Sequence, residues 1–413
     1  MRTLIPTTRW LSGLWLGLLL GLAVSCRNQP DFRPTVLLIS LEGFRWDYLE
    51  QAHTPNLDRL VATGVQAQAL IPVFPTHSMP NLYSLVTGLY PENHGIVSDL
   101  MYDPVFDATY DARILETVDE GRWYEGEPLW VTARKQGLNS ATLFWPGSDA
   151  EIQGRQPAYV QGDPDGRSRS EWVDQVLAWV DLPLDRRPAF MALSLILGDV
   201  SGRMDPHSPA LSMAIQQIDS TLGQLFHGFV QRGVMEKIDI VIVSDHGMTQ
   251  TDSTQVIFLD DYVELDQAGV IDWSPILGLR PDEGVQEDIY NALKGAHPHL
   301  QIYRREEVPF RLHYSNHYRI PPIVGLADVG WSITTHELYA ADPAPFGTGS
   351  YGYDPRYPAM RGIFIARGPS FQNGLVVEPF QSIHIYNLIT RVLGLAPAPN
   401  DGKLDSVSAM LAP

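Results

Sequence analysis

The sequence is poor in cysteine and in basic residues, and both shortages limit what the protein can be. Cys26 is the only cysteine, so no disulfide can form within the chain and the fold must rest on its hydrophobic core. Lysine and arginine total 29 against 48 aspartates and glutamates, which gives a formal net charge of −19. Because so acidic a surface repels phosphate backbones, we expect no nucleic-acid-binding surface.

Long apolar runs are also scarce, apart from one near the N-terminus. Arg2 and Arg9 precede the run WLSGLWLGLLLGLAV at 10–24, which is short for a membrane span and typical of a secretory signal. The run leads to Cys26 in a pattern similar to a bacterial lipoprotein cleavage site, although plain secretion is an alternative. Diacylglyceryl transfer to Cys26 would anchor the protein in a membrane, facing the periplasm or the exterior.

These features predict a lipoprotein-type signal at 1–26, a tether at 27–33 and one large domain at 34–413. Neither fixed-period repeats nor low-complexity tracts occur in that domain. The composition of the domain changes between 262 and 333, where short proline-rich segments replace apolar runs, so we expect a small inserted subdomain there. His297 and His299 in this stretch are flanked by proline and fit turn positions better than ligand positions.

Strands alternate with helices along the rest of the domain. Continuous apolar runs at 35–41, 189–198 and 238–244 are typical of strands buried on both faces, as in a parallel sheet. Helical spacing of apolar residues follows the cap at Ser208-Pro209. The alternation predicts a doubly wound, mostly parallel α/β sheet with helices on both faces.

Three of the predicted strands deliver an acidic residue at their carboxyl end: Glu42, Asp199 and Asp245, with His246 next in sequence. In an open α/β sheet these ends share one edge, where ligands bind. Each acid alone could be a helix cap or a turn residue. Carboxylates brought together repel one another without a counter-charge, so the group of three indicates a bound cation.

Ser78 is a second candidate for chemistry. It lies two residues before Pro80, and the stretch from Asn81 reads as the first turns of a helix, since proline suits a first helical turn. Ser78 would then lie beside free backbone N–H groups that can hold an anion such as phosphate. An ordinary helix cap is the alternative reading.

Several longer segments carry a resemblance to a known family. They include LISLEGFRWDYL at 38–49, FPTHSMPNLYSLVTGLYPENHGI at 74–96, WPGSD at 145–149, VIVSDHGM at 241–248 and FIARGPSF at 364–371. The chain after residue 33 resembles a bacterial nucleotide pyrophosphatase/phosphodiesterase, within the alkaline phosphatase superfamily. The resemblance implies an alkaline-phosphatase-like fold, two zinc ions and hydrolysis of phosphodiesters or pyrophosphates through a phosphorylated enzyme.

The resemblance also implies roles for individual residues. Ser78 falls on the nucleophile position, where threonine is usual, and Asn81 matches a residue that hydrogen-bonds a phosphoryl oxygen. Glu42, Asp245 and His246 match the ligands of one zinc, with glutamate in place of aspartate. One zinc would lower the pKa of the nucleophile, and the other would bind a phosphoryl oxygen and activate water.

The second zinc site departs from the family pattern. Asp199 matches its aspartate, but Arg203 and Tyr351 stand where the family has histidines, and arginine has no lone pair for a metal. We therefore predict one zinc instead of two, with Arg203 paired to Asp199. Arg203 could merely fill the vacated space, or it could clamp a phosphoryl oxygen.

Two further residues bear on substrate. Met79 stands where nucleotide-cleaving members have an aromatic residue that stacks on the base, and Tyr159 is a candidate for another stacking ring. The expected function is extracytoplasmic hydrolysis of a phosphorylated small molecule through a phosphoseryl intermediate on Ser78. The alternative is a catalytically degenerate relative that binds a phosphorylated ligand or a protein partner.

Overall fold

The computed structural model describes residues 32–162, 168–196 and 205–413. Cys26, Asp199 and Arg203 lie outside these ranges, so the predictions made for them stay predictions.

Helices and strands alternate through the described residues as the sequence predicts. The helices are α1 (Pro55–Ala62), α2 (Ser78–Thr87), α3 (Pro91–His94), α4 (Leu115–Val118), α5 (Leu129–Lys135), α6 (Arg169–Val180), α7 (Pro209–Gln231), α8 (Gln286–Leu293), α9 (His336–Ala341) and α10 (His384–Leu393). The strands are β1 (Val36–Leu41), β2 (Val65–Ala67), β3 (Leu70–Ile71), β4 (Leu100–Asp103), β5 (Ala108–Asp111), β6 (Ser140–Leu143), β7 (Tyr159–Gln161), β8 (Phe190–Leu195), β9 (Asp239–Val243), β10 (Thr249–Gln250), β11 (Val256–Phe258), β12 (Val270–Asp272), β13 (Ile276–Leu279), β14 (Leu300–Arg304), β15 (Ile323–Ala327), β16 (Ser332–Thr334), β17 (Gly349–Ser350), β18 (Phe364–Arg367), β19 (Leu375–Val377) and β20 (Phe380–Gln381).

An eight-stranded sheet forms the centre of the fold, in the order β19-β2-β18-β9-β1-β8-β6-β7. The run from β9 to β7 is parallel throughout, whereas β18 is antiparallel to both of its neighbours. β1 lies between β8 and β9 and is buried along its whole length. This central position explains why its sequence is a continuous apolar run without polar alternation.

Helices cover both faces of this sheet, and successive residues of β1 point to opposite sides of it. Val36 and Leu38 belong to a core that also holds the apolar side chains of α2, α5 and α10. Leu37 and Ile39 belong to a second core, formed with α1, α6 and α7. The two-sided covering confirms the predicted doubly wound α/β architecture.

A smaller antiparallel sheet, β12-β13-β15-β14, lies within residues 270–327. With α8 it shares a separate apolar cluster, which includes Leu277, Leu293 and Ile323. This sheet falls inside the stretch where the sequence predicts an inserted subdomain. The boundaries of that subdomain stay a prediction.

Among residues 32–162, 168–196 and 205–413, none of the helices combines the length and the apolar character needed to cross a membrane.

Candidate active site

A cavity of about 920 Å³ opens at the carboxyl edge of the central sheet. Glu42, which follows β1, Phe144, which follows β6, and Ile196, which follows β8, all line it, together with Ser78. This is the edge at which open α/β sheets bind ligands. The fold therefore places the predicted nucleophile and one predicted metal ligand in a single cleft.

Ser78 is the first residue of α2, one turn earlier than the sequence predicts for that helix. Pro80 falls within the first turn, where the N–H that it lacks would have no partner in any case. His77 precedes the helix in extended conformation and makes no side-chain cap. The Ser78 hydroxyl therefore lies at the positive end of the helix dipole.

Three predicted residues meet around this hydroxyl. Ser78 Oγ lies 3.0 Å from Nε2 of His246 and 3.5 Å from Oε1 of Glu42. Glu42 follows β1 and His246 follows the neighbouring strand β9, so the pairing of these two strands brings the two side chains together. Asp245 completes the group, with Oδ2 at 3.3 Å from His246 Nε2.

The backbone fixes which nitrogen of His246 carries the hydrogen. Nδ1 lies 2.8 Å from the carbonyl oxygen of Gly247, and a carbonyl can only accept a hydrogen bond. Nδ1 is therefore protonated, and in the neutral ring Nε2 presents its lone pair. That lone pair faces Ser78 Oγ, so it can accept the hydroxyl proton or bind a metal ion.

The Asp245 carboxylate is buried and only half satisfied. Oδ1 accepts hydrogen bonds from the backbone N–H groups of Gly43 and His246, both at 2.9 Å. Oδ2 is buried without a hydrogen-bond partner. An unpaired carboxylate oxygen in the interior is costly unless a cation or a proton meets it.

Glu42 is in a similar position. Burial, and then the negative charges of Asp245 and Asp99, raise the pKa of its carboxyl to about 8. The hydrogen bond from Ser78 acts in the opposite direction, because it favours the ionised form. The buried carboxylate of Asp245 and the half-buried carboxyl of Glu42 thus lie beside one imidazole and have no lysine or arginine partner among the described residues.

This donor set fits a divalent cation. Carboxylate oxygens and a neutral imidazole nitrogen are common zinc ligands, and the buried, unpartnered Oδ2 of Asp245 is an oxygen that a cation would satisfy. Across the described residues, no three histidine, cysteine or acidic side chains already share one metal-binding point. Glu42, Asp245 and His246 instead surround Ser78, and we regard them as the residues that would hold the cation.

Tyr351 lies against the same group. Its ring is stacked on the imidazole of His246, with centroids 4.1 Å apart and planes 17° from parallel. It therefore lies beside the first metal site, although its hydroxyl replaces a predicted histidine ligand of the second. Asp199 and Arg203, the other residues predicted for the second site, lie outside the described residues.

The structure corrects the role predicted for Asn81. Its side chain is fully buried and does not line the cavity. Its amide nitrogen donates to the carbonyls of Pro75 and His77 at 3.0 and 2.8 Å, and its Oδ1 accepts from the N–H of Val73 at 2.7 Å. These bonds occupy the amide, so Asn81 holds the loop before Ser78 in shape and does not contact a phosphoryl oxygen.

Of the two predicted substrate residues, one lines the cavity and the other does not. Met79 lines the cavity beside Ser78. Tyr159 is not among the residues that line it, and its hydroxyl donates to the carbonyl of Arg186 at 3.0 Å. The stacking of Tyr159 on a substrate stays a prediction.

Other residues at the site were missed from the sequence. Asp99 lines the cavity and accepts the N–H of Met79 on Oδ1 at 2.8 Å. His77 contacts Ser98, which in turn donates to Asp272 at 2.5 Å. His77 could have been noticed beside Ser78, but Asp99 and Asp272 follow no motif in the sequence.

Carboxylates dominate the charge of the cavity wall. Arg113 is the one arginine or lysine among the described residues that line it, and its guanidinium is bound to Asp111. Aromatic rings form much of the remaining wall. Besides Glu42, the acidic lining residues are Asp99, Asp111, Asp119, Asp149, Asp272 and Asp342, and the aromatic ones include Phe144, Trp145, Trp172, Trp273 and Phe346.

Comparison with known proteins agrees with this site and fold. The family model of type I phosphodiesterase / nucleotide pyrophosphatase matches residues 36–354. An uncharacterised pyrophosphatase/phosphodiesterase of Schizosaccharomyces pombe is 37% identical over 383 residues, covering 90% of this chain and 79% of the relative. Human ectonucleotide pyrophosphatase/phosphodiesterase family member 5 is 34% identical over 394 residues, covering 95% of this chain and 81% of the relative.

A solved structure gives the same result. Murine ectonucleotide pyrophosphatase/phosphodiesterase 5, in an inactive variant bound to AMP, superimposes with a TM-score of 0.87 at 33% identity, covering 92% of this chain and all of that one. The expected alkaline-phosphatase-like architecture agrees with this match. Hydrolysis of phosphodiester or pyrophosphate bonds is the activity that these relatives support. The chain belongs to the type I phosphodiesterase / nucleotide pyrophosphatase family.

Proposed function

We propose that this protein hydrolyses phosphodiester or pyrophosphate bonds of small molecules through a phosphoseryl intermediate on Ser78. One observation carries the proposal: the Ser78 hydroxyl lies 3.0 Å from Nε2 of a buried histidine, whose Nδ1 is bound to a carbonyl, at the start of a helix and inside the cavity. A hydroxyl used only as a helix cap would not need an imidazole lone pair beside it.

The reaction then takes two steps. Ser78 Oγ attacks phosphorus, the bond to the leaving alcohol breaks, and the proton of the hydroxyl is transferred to the alcohol. Water next attacks the phosphoseryl group, the Ser78–phosphorus bond breaks, and one water proton restores the hydroxyl. The products are an alcohol and a phosphate monoester, or two phosphates when the substrate is a pyrophosphate.

The residues around Ser78 divide this work between them. The Gly247 carbonyl keeps the lone pair of His246 directed at the hydroxyl, and the stacked ring of Tyr351 keeps the imidazole in plane. Asn81 holds the preceding loop, so that Ser78 faces the cavity. When bound by Glu42, Asp245 and His246, a divalent cation such as zinc would polarise the phosphoryl group and make the hydroxyl more acidic.

We propose a single cation. The support is the replacement of two expected histidines by Arg203 and Tyr351, since arginine offers no lone pair. Arg203 either neutralises Asp199 or contributes its guanidinium to a phosphoryl oxygen. The substrate class is a phosphorylated small molecule; the relative that binds AMP makes nucleotides reasonable first substrates, and aromatic rings on the cavity wall could stack on a base.

We further propose that the protein acts outside the cytoplasm, anchored to a membrane through a lipid on Cys26. The support is the apolar run that ends at this cysteine and the names of the relatives, which are ectonucleotide enzymes. The acidic composition argues against nucleic acid as a partner.

The test is hydrolysis of an aryl phosphodiester by the purified, zinc-supplemented protein. The natural chain should release the aryl alcohol and, after an acid quench, carry a phosphate on Ser78 detectable by mass spectrometry. Ser78→Ala should abolish both signals, and Ser78→Thr should retain them, because threonine keeps the hydroxyl. Equal thermal unfolding of the three proteins controls for folding.

Unchanged turnover in Ser78→Ala would contradict the mechanism. Absence of turnover in the natural chain, at any zinc concentration, would favour the degenerate relative that binds a ligand without cleaving it.

A further inference from the structure

The Asp99 side chain contacts the first turn of α2, the helix that carries the nucleophile. Its Oδ1 accepts the N–H of Met79, the residue directly after Ser78, at 2.8 Å. The next residue, Pro80, has no N–H, and His77 provides no side-chain cap. A donor at the start of α2 that could hold an anionic oxygen is therefore already bound to a carboxylate.

This carboxylate lines the cavity that the substrate must enter. Ser78, Met79 and Asp99 line the same cavity, and so does Glu42, whose Oε1 lies 3.5 Å from Ser78 Oγ. A phosphorus atom attacked by Ser78 must come within bonding reach of its Oγ, so the oxygens on that phosphorus come close to Asp99. Among the described residues that line the cavity, Arg113 is the one arginine or lysine, and it is bound to Asp111.

We propose that Asp99 determines specificity by charge, admitting singly charged phosphodiesters and excluding doubly charged phosphomonoesters and inorganic phosphate. The inference rests on the proposed hydrolysis at Ser78. A phosphodiester carries one negative charge, whereas a monoester, whose second pKa is about 6, carries nearly two at neutral pH. Repulsion from a fixed carboxylate grows with that charge. The monoester product of hydrolysis carries one charge more than the substrate, so Asp99 also favours its release.

The decisive variant is Asp99→Asn. The amide keeps an oxygen for the Met79 N–H while the negative charge is lost, so the start of α2 should stay intact. A like charge within a few ångströms shifts an ionisation equilibrium by roughly tenfold or more. We expect the ratio of kcat/KM for an aryl phosphomonoester to that for the matching aryl diester to rise by about that factor.

Asp119→Asn is the matched control. Asp119 is also an acidic residue on the cavity wall, but it is exposed and follows α4. Asp119→Asn removes the same formal charge as Asp99→Asn. A general effect of net charge would therefore change the kcat/KM ratio of monoester to diester equally in both variants. A ratio that rises equally in both variants, or in neither, overturns the proposal.

Binding separates this inference from the proposed function. The zinc-supplemented full chain is titrated with inorganic phosphate in a calorimeter, which requires no turnover. Asp99→Asn should bind phosphate roughly tenfold more tightly than the natural chain and than Asp119→Asn. If none of the proteins hydrolyses the diester but this gain in affinity appears, the proposed hydrolysis is wrong and the role of Asp99 in charge specificity is supported. If the gain does not appear, the role of Asp99 is wrong.

Discussion

His94 makes the stability of the nucleophile helix depend on pH. Its side chain is fully buried, and its Nδ1 accepts the N–H of Ile96 at 3.2 Å. The hydrogen is therefore on Nε2, which lies 2.9 Å from the hydroxyl of Ser84 on α2. Burial lowers the pKa of His94 from 6.5 to about 3, because a charged imidazole in this position would lose its hydration.

The sign of the effect follows from this shift. The folded protein holds His94 neutral, whereas the unfolded chain protonates it as the pH falls below about 6.5. The contribution of His94 to stability is thus complete above that pH and is lost progressively below it, down to about pH 3. For these two pKa values, the free energy of unfolding should fall by about 2 kcal/mol between pH 7 and pH 5 from this residue alone.

Urea unfolding at pH 7 and pH 5 measures this loss. His94→Gln keeps an amide N–H for Ser84 but does not titrate, so its stability should fall by about 2 kcal/mol less than that of the natural chain. His227→Gln, which removes an exposed histidine on α7, should behave like the natural chain. Equal losses in the natural chain and in His94→Gln would refute the argument, and direct titration of the imidazole by NMR would show where its pKa lies.

Three further changes test other parts of the molecule. Asn81→Ala should lower the free energy of unfolding by roughly 2 to 4 kcal/mol, because its amide satisfies buried backbone groups, yet phosphate should still be found on Ser78 by mass spectrometry. The combined reversion of Glu42→Asp, Arg203→His and Tyr351→His should add a second zinc by elemental analysis and, if that ion supplies about 4 kcal/mol, raise kcat/KM roughly a thousandfold. Cys26→Ala should move the protein from the membrane fraction to the soluble fraction and remove the acyl mass.

The central sheet could be predicted because its strands have a simple chemical signature. Val36–Leu41, Phe190–Leu195 and Asp239–Val243 are covered on both faces, so each reads as a mostly apolar run without polar alternation. Because parallel strands end at one edge of the sheet, the sequence predicts that Glu42 and Asp245 lie close together, without any knowledge of long-range contacts. The antiparallel direction of β18 could not be predicted, because a strand covered on both faces has the same composition in either direction.

Side-chain direction could not be predicted in the same way. Asn81 is three residues after Ser78 and therefore near it on the helix, but the carbonyls of the preceding loop need donors, and the amide turns toward them. Asp99 lies in a loop 20 residues after Met79 and reaches the site by accepting the backbone N–H of Met79. A contact of that kind leaves no periodic pattern in the sequence, since it depends on where a loop returns in the fold.

The substitutions of expected site residues affect the two chemical steps, attack by Ser78 and hydrolysis of the phosphoseryl group, to different extents. The groups that position Ser78, namely Glu42, His246 and the ring of Tyr351, are present and in contact. The residues that the family resemblance assigns to activating water are those replaced by Arg203 and Tyr351. We therefore expect formation of the phosphoseryl group to be less impaired than its hydrolysis. Rapid mixing with an aryl diester should then show a burst of aryl alcohol close to one equivalent per enzyme before a slow steady rate, whereas a linear trace without a burst would place the loss on the attack by Ser78 instead.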